Sequence, residues 1–282
     1  MPATIRKCSG RSKLMFKLNA IKADKIWGDE LWIASTHPNG CQEDFKSFIH
    51  GEYPLLVKII EARDKLSVQV HPDDEKAQLY EQCRGKTECW YILETSGNAQ
   101  LVYGLNGVYT SSELRAAIRS NSLEDCLRYV PVHKGDFVYI PAGTVHAICG
   151  GIRLLEVQQS SDVTYRLYDW GRGRECSVEK GIACIKSGSI RNVTPFPGAF
   201  SCPYFTLEEI SVEQEYSGTV DKAEGKILPS DFILLFVIDG SGTINGSPAE
   251  KESLFAFEPG EKVTLTGDLH VMKITPAEPK KR

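Results

Sequence analysis

The chain is expected to be a mainly β protein, a sandwich or barrel carrying short helical insertions and a second, smaller β unit. Apolar or alternating runs of strand length recur from one end to the other, Gly, Pro and Asp fall between them, and helical signals are few.

In chain order the runs are LWIAS, PLLVKII, LSVQV, CWYIL, QLVYGL, FVYIP, IRLLEV, FTLEEISV, FILLFVI, SLFAFE, KVTLT and HVMKI. LSVQV stands out because it alternates. Side chains along a strand point to opposite sides in turn, so Ser67, Gln69 and His71 share one face, Val68 and Val70 the other, and Pro72 ends the ladder. Such a strand is either an edge with its polar face in water or the wall of a polar site. A helix is expected next over DDEKAQLYEQCR, capped by Asp73 and closed by Gly85. A helical insertion is expected near 110–129, where Thr110 with Glu113 and Asn121 with Glu124 stand at capping-box spacing.

The Ser-, Gly- and Pro-rich segment 186–203 is the strongest linker candidate, dividing the chain into domains at 1–190 and 191–282. Across it, DFVYIPAGTVHAI (136–148) is echoed by SLFAFEPGEKVTLT (253–266) as strand, Pro-Gly turn, strand. The second copy lacks a counterpart of His146.

A chain of 282 residues buries roughly 75% of its unfolded surface and needs no staples. Its 41% hydrophobic and 25% charged residues are ordinary globular values. Nine cysteines, an odd number without a CxxC pair, fit neither a disulfide framework nor a thiolate zinc site, and are expected to be small hydrophobes in a reducing compartment. A net charge of −4 without long runs of one sign argues against nucleic acid. The N-terminal stretch has no apolar segment of signal-peptide length and no apolar run reaches about 18 residues, so a cytoplasmic protein without a membrane partner is expected.

A metal site built on strands needs imidazole, carboxylate or amide donors converging from several strands. Gln69 and His71 are two candidates. In GKTECWYIL, Lys86 and Glu88 share a face opposite Cys89, Tyr91 and Leu93. An unpaired carboxylate opening an apolar strand is costly to bury, so Glu88 either pairs with Lys86 at the strand mouth or joins a site. Farther on, Pro141 and Gly143 turn the chain and His146 opens the next strand. Gly135, five residues, Pro141-Ala142-Gly143, two residues and His146 match the second cupin motif, G(X)5PXGXXH, although Gly150 replaces the Asn of the usual HxxxN continuation.

With SVQVHPDD, GKTECWYI, this turn and LLEVQQSSDVTYRLYDWGR in the same order and spacing, the chain resembles the type I mannose-6-phosphate isomerases, particularly the short bacterial form, from about Tyr53 to Arg172. The resemblance implies a cupin-type jelly-roll barrel followed by a smaller, degenerate cupin-like β domain. It also implies one zinc ion per chain, held by Gln69, His71, Glu88 and His146. The implied reaction converts mannose 6-phosphate reversibly to fructose 6-phosphate through an enediol. Such an exchange needs a base, a stabiliser of negative oxygen and a phosphate grip, with zinc as Lewis acid or template for the sugar oxygens. Arg166 resembles the family's catalytic arginine, and its permanent charge suits an enediolate; the competing role is an ion pair with Asp162 or Asp169. Glu156 and Lys86 match polar active-site positions, either able to move a proton if burial or metal shifts its pKa. Lys86 and Arg166 also bind substrate in this scheme, and Ser67 is a candidate for the phosphate.

The chain departs from the family in KIWGDELWIASTHPNG, which runs together a WGG segment and a later GE-x-W-x-x-S segment. The departure bears on substrate contacts near Trp27. Two rival functions share the scaffold. A cupin dioxygenase commonly uses an HxH pair where this chain has QVH, and a non-catalytic sugar-binding cupin predicts a degraded ligand set, whereas Gln69, His71, Glu88, His146 and Arg166 are all present.

Overall fold

The protein is described here by a computed structural model covering residues 15–186, 192–223 and 225–277. Its strands pair antiparallel throughout the described residues and form three sheets, numbered below in chain order.

The first sheet has seven strands in the order β13 (Thr194–Pro195), β9 (Asp136–Ile140), β6 (Glu88–Thr95), β11 (Ile152–Gln159), β4 (Leu55–Ala62), β3 (Gly28–Ala34) and β2 (Ile21–Lys25). The second has five: β12 (Tyr165–Tyr168), β5 (Val68–Val70), β10 (His146–Ile148), β7 (Gln100–Leu105) and β8 (Leu127–Pro131). The third runs β1 (Met15–Lys17), β19 (Leu254–Phe257), β17 (Ile233–Ile244), β20 (Lys262–Pro276), β15 (Phe205–Val212) and β14 (Ala199–Ser201), with β16 (Glu215–Thr219) on β20 and β18 (Ser247–Glu250) on β17. The mainly β, cupin-type architecture expected from the sequence is the one found.

The central strands β4, β6 and β11 of the seven-stranded sheet are buried on both faces, which is why PLLVKII and CWYIL read as nearly unbroken apolar runs. In β6, Trp90 and Ile92 pack with Leu101, Tyr103 and Ile148 of the five-stranded sheet. Cys89, Tyr91 and Leu93, one residue out of phase, pack with Phe205, Leu234 and Phe236 of the eight-stranded sheet. The first two sheets therefore enclose the barrel interior, and the third closes its back.

β5 is flanked by β12 and β10 and is not an edge. Its valines pack outward with Leu114, Leu123 and Ile182 beneath the helices α3 (Ser111–Arg119) and α4 (Val178–Cys184), leaving the polar face turned inward. The alternation of SVQVH thus records an apolar outer face and a polar interior.

The expected boundary between 190 and 191 lies outside the described residues. On either side of it the chain exchanges strands: β13 extends the first sheet on β9, and β1 extends the third on β19.

Several local expectations are corrected. The helix after His71, α2 (Asp74–Glu81), is capped by Asp73, which accepts from the Lys76 N–H, but it ends at Gln82 in the left-handed region (φ 55°) and not at Gly85. Gly85 instead serves the return of the chain, where a Cβ would lie 2.5 Å from the Asp74 nitrogen. Thr110 and Glu113 form their capping box on α3. Asn121 and Glu124 do not: Asn121 is left-handed (φ 57°) and only a 3-10 turn, Leu123–Cys126, follows. KVTLT and HVMKI join into the single strand β20, with Gly267 at φ 104° inside it. A short helix α1 (Glu43–Phe48) and α4 lack side-chain caps, so no cap signal marked them. Both segments of the internal echo are strand, turn, strand, but β9 and β10 lie in different sheets while β19 and β20 share one.

No disulfide forms among the described cysteines, and Cys89, Cys126, Cys149 and Cys184 are buried; Cys8 lies outside the described residues. Among the described residues no helix is long and apolar enough to cross a membrane.

Candidate metal centre and active site

Register in the five-stranded sheet creates one row of the site. Arg166 of β12 and His146 of β10 both stand opposite Gln69 of β5. Opposed residues of antiparallel strands present their side chains on one face, so Arg166, Gln69 and His146 line up across the interior. Two returns of the chain add the rest. After α2 the Lys86 N–H donates to the Pro72 carbonyl at 3.0 Å, which brings Glu88 alongside His71. The turn before His146 is tied to the same place by the Gly143 N–H, which donates to the His71 carbonyl at 2.9 Å. Gly143 is left-handed (φ 95°), and a Cβ there would lie 2.7 Å from Lys186 Cγ and 2.8 Å from the Cys184 carbonyl.

His71, Glu88 and His146 thus meet in the interior, all buried, with donor atoms within 4.8 Å of one another. Glu88 Oε2 lies 3.5 Å from His71 Nε2, and Oε1 lies 3.4 Å from His146 Nε2. Each imidazole Nδ1 faces a backbone carbonyl, Val163 at 2.8 Å for His71 and Thr144 at 2.9 Å for His146. A carbonyl only accepts, so each Nδ1 carries the proton and each Nε2 lone pair is left toward Glu88. Metal-ligating histidines are anchored in this way.

Electrostatics agree. Burial, reinforced by the Lys86 charge, holds His71 well below its ordinary pKa, and burial pushes His146 down to about 4. Burial also pushes Glu88 up to about 7, with Lys86, 3.3 Å from Oε2, working against it. Both imidazoles are therefore neutral, as metal ligands must be. His71 Nε2 has no hydrogen-bond partner among the described residues, and Glu88 Oε2 is met only by the Lys86 ammonium, 3.3 Å away. Leaving a buried polar atom unpaired costs about 1–3 kcal/mol, and a cation between the two would engage both. Two imidazole nitrogens and a carboxylate suit zinc. Gln69 adjoins the cluster from the row: its Nε2 is 3.3 Å from His146 Nε2 and its Oε1 is 3.5 Å from Ser67 Oγ, and a half-turn of the amide would exchange the two atoms. The residues fit the metal.

A second row crosses the seven-stranded sheet: Trp32, Lys58, Glu156 and Trp90 stand opposite one another on β3, β4, β11 and β6. Lys58 Nζ lies 3.2 Å from Glu156 Oε1, 3.8 Å from Glu30 Oε2 and 5.2 Å from the Trp32 ring centre. Trp90 Nε1–H donates to Glu156 Oε2 at 2.9 Å. Burial works against the Glu156 charge, but Lys58, Lys86 and the Trp90 donor outweigh it and hold the carboxyl below its usual range. Burial likewise opposes the Lys58 charge, and Glu156 and Glu30 overcome it and raise its pKa.

Between the rows lies a cavity of about 400 Å³. Of the residues expected from the sequence, Ser67, Gln69, Lys86, Glu156 and Arg166 line it. His71, Glu88 and His146 sit behind Gln69 and Lys86. Trp27, in the compressed N-terminal segment, reaches the cavity as well. Arg166 pairs with neither Asp162 nor Asp169; its Nη1 donates to the Glu175 carbonyl at 2.7 Å, and its buried Nε has no partner among the described residues.

Sequence reasoning missed Lys58, Trp32, Trp90 and Arg174, which share the cavity wall. Lys58 left a signal, a lone charge inside PLLVKII, since a lysine is almost never buried without a partner. Arg174 left none, because a loop places it.

Residues 40–88 match the family of phosphomannose isomerase type I catalytic domains. A mannose-6-phosphate isomerase of Streptococcus mutans is 36% identical over 250 residues, covering 76% of each chain. The crystal structure of the mannose 6-phosphate isomerase from Bacillus subtilis matches with a TM-score of 0.80 and 26% identity over 93% of this chain and 99% of that one. A mannose 6-phosphate isomerase bound with zinc and yttrium shares the fold, with a TM-score of 0.66 and 15% identity over 94% of this chain and 100% of that one. By sequence identity along three quarters of its length, together with the fold, the chain belongs to the type I phosphomannose isomerase family.

Proposed function

We propose that the chain interconverts mannose 6-phosphate and fructose 6-phosphate, with one zinc ion held by Gln69, His71, Glu88 and His146. The observation that carries this reading is the buried His71–Glu88–His146 cluster, with His71 Nε2 left without a hydrogen-bond partner, behind a charged cavity in a chain of this family. Zinc bound there supplies Lewis acidity and a template for the sugar oxygens.

The chain's own groups account for the proton transfer. Glu156 is an ionised carboxylate on the cavity wall, fixed by Trp90 and Lys58, and takes the C2 proton for delivery to C1. The Arg166 guanidinium and the Lys86 ammonium stabilise the oxygens that become negative in the enediolate. Ser67 offers a hydroxyl to the phosphate end. The intact ligand set and QVH in place of HxH give no support to a non-catalytic binding protein or a dioxygenase. The catalytic domain in this reading is 1–190, with 191–282 as a C-terminal β domain, and the setting is the cytoplasm.

The test is a coupled assay of the purified protein with mannose 6-phosphate, before and after chelation and with zinc restored. Turnover that disappears with chelation and returns with zinc is expected; no turnover in the zinc-loaded protein overturns the reading.

A further inference from the structure

We propose that Asp74 and Gln159 are positioning residues of the metal centre, and that Tyr204, carried by the third sheet, acts through them on Glu88 and His146. The proposal rests on the isomerase reading only in taking the buried cluster as a zinc site.

The relay is centred on the first turn of α2. Asp74 Oδ1 accepts from the Gly85 N–H and from Gln159 Nε2, each at 2.9 Å, and its Oδ2 accepts from the Tyr204 hydroxyl at 2.8 Å. All three donors are neutral. The carboxylate is therefore held by the directions of its hydrogen bonds and by the N-terminal end of α2, where negative charge is favoured.

Gln159 passes this hold to the strand that carries Glu88. Its Oε1 accepts from the Thr87 N–H at 2.8 Å, and its own N–H donates to the Thr87 carbonyl at 3.1 Å, so one residue clasps Thr87 on both sides. The pairing of β11 with β6 ends at Gln158 opposite Glu88, and the side chain of Gln159 takes over where that ladder stops. Thr87 stands between Lys86 and Glu88, and its hydroxyl oxygen accepts from the Ala142 N–H at 3.3 Å. Ala142 lies in the turn that delivers His146. Thr87, itself buried, thus joins the segments carrying two ligands whose donor atoms are 3.4 Å apart.

Tyr204 brings the third sheet into the site. It sits in the turn between β14 and β15, where its carbonyl accepts from the Ala277 N–H at 2.7 Å and the Cys202 N–H donates to the Phe205 carbonyl at 3.0 Å. β15 is paired with β20 along its whole length, so the hydroxyl is fixed by strands that contribute no ligand. Burial, followed by the hydrogen bond to Asp74, raises the Tyr204 pKa and keeps the hydroxyl a donor.

The experiment uses the full chain, with zinc and cobalt alone as probes. In Asp74→Ala the zinc Kd, read by competition with a chromogenic chelator, is expected to rise about 10- to 100-fold, and the visible absorption of the cobalt-loaded protein, which reports ligand geometry, to change. Asp74→Asn keeps an oxygen for Gly85 and Gln159 and should restore most of the affinity. Tyr204→Phe should move both readings in the same direction by less; wild-type readings there overturn the part of the proposal that reaches the third sheet. A merely structural role lowers the Tm of the metal-free protein and leaves the zinc Kd and the cobalt bands unchanged, and that pattern in a folded Asp74→Ala overturns the proposal. If that variant does not fold, Gln159→Leu decides it by the same two readings. A wild-type protein whose zinc affinity depends on Asp74 yet turns over no mannose 6-phosphate overturns the isomerase reading and leaves the positioning role standing.

Discussion

Lys58 and Glu156 face each other across neighbouring strands of the buried sheet, Nζ 3.2 Å from Oε1, with a tryptophan opposite each on the outer side, Trp32 and Trp90. Both charges are buried, and each is the other's principal counter-charge, with Glu30 also facing Lys58 and Lys86 also acting on Glu156. Lys58→Met or Glu156→Leu alone removes the principal counter-charge of a buried group and is expected to cost up to about 3–5 kcal/mol in denaturant unfolding, while the double variant loses distinctly less than the sum.

The same pair predicts a pH dependence. The folded Glu156 pKa lies below its ordinary 4.5, so its contribution is present above that value and lost as pH falls through the folded pKa. The folded Lys58 pKa lies above 10.5, so its contribution is present below that value and lost as pH rises through the raised one. The pair's stabilisation is whole between these limits. Thermal unfolding of wild type against the Lys58→Met/Glu156→Leu double variant should show the wild type losing stability more steeply below pH 4.5.

Arg166 and Gln69 stand opposite each other and are expected to fail differently. Arg166→Ala should lower kcat by about 100-fold or more while the protein keeps its zinc, as for loss of a transition-state donor. Gln69→Leu should lose zinc affinity first, read by competition with a chromogenic chelator. Parallel loss of zinc in Arg166→Ala would identify Arg166 as a structural residue.

Metal removal should also be visible without turnover. Because the buried His71 Nε2 is left without a hydrogen-bond partner, the chelated protein should melt lower, and zinc at about 1,000 times its Kd should restore about 4 kcal/mol. Glu88→Gln should abolish most of that zinc-dependent shift; an equal shift in the variant would remove Glu88 from the ligand set.

Gly143→Ala tests the turn that joins two ligand histidines. Its positive φ and the 2.8 Å approach to the Cys184 carbonyl predict a loss of about 1–3 kcal/mol and weaker zinc binding, since the turn carries His146 and its N–H holds the His71 carbonyl. Unchanged zinc affinity would show that the turn does not position the ligands.

Much of the site was legible because its residues announce themselves locally. The Ser67–Gln69–His71 alternation, Glu88 opening an apolar strand and the Pro141-Ala142-Gly143 turn before His146 are short-range patterns, and strand geometry alone says which way each side chain points. Helix closure at Gly85 and a second capping box at Asn121 were misread, because Gln82 and Asn121 took left-handed conformations that a glycine or a cap was expected to supply. The joining of KVTLT with HVMKI escaped because Gly267 looks like a break and is accommodated inside one long strand.

By itself the sequence determined the β class and the shared polar face of Ser67, Gln69 and His71, which follow from strand periodicity, while the set of four metal ligands was implied only by the resemblance of its short motifs to the isomerase family. Only the tertiary structure decided that Lys58 and Glu156 share a buried row, that Arg166 turns from the nearby aspartates to the Glu175 carbonyl, and that Arg174 enters the cavity. Those relationships depend on strand register and on a loop folding back, where partners far apart in sequence are chosen by which charges and carbonyls the packed core leaves to be satisfied.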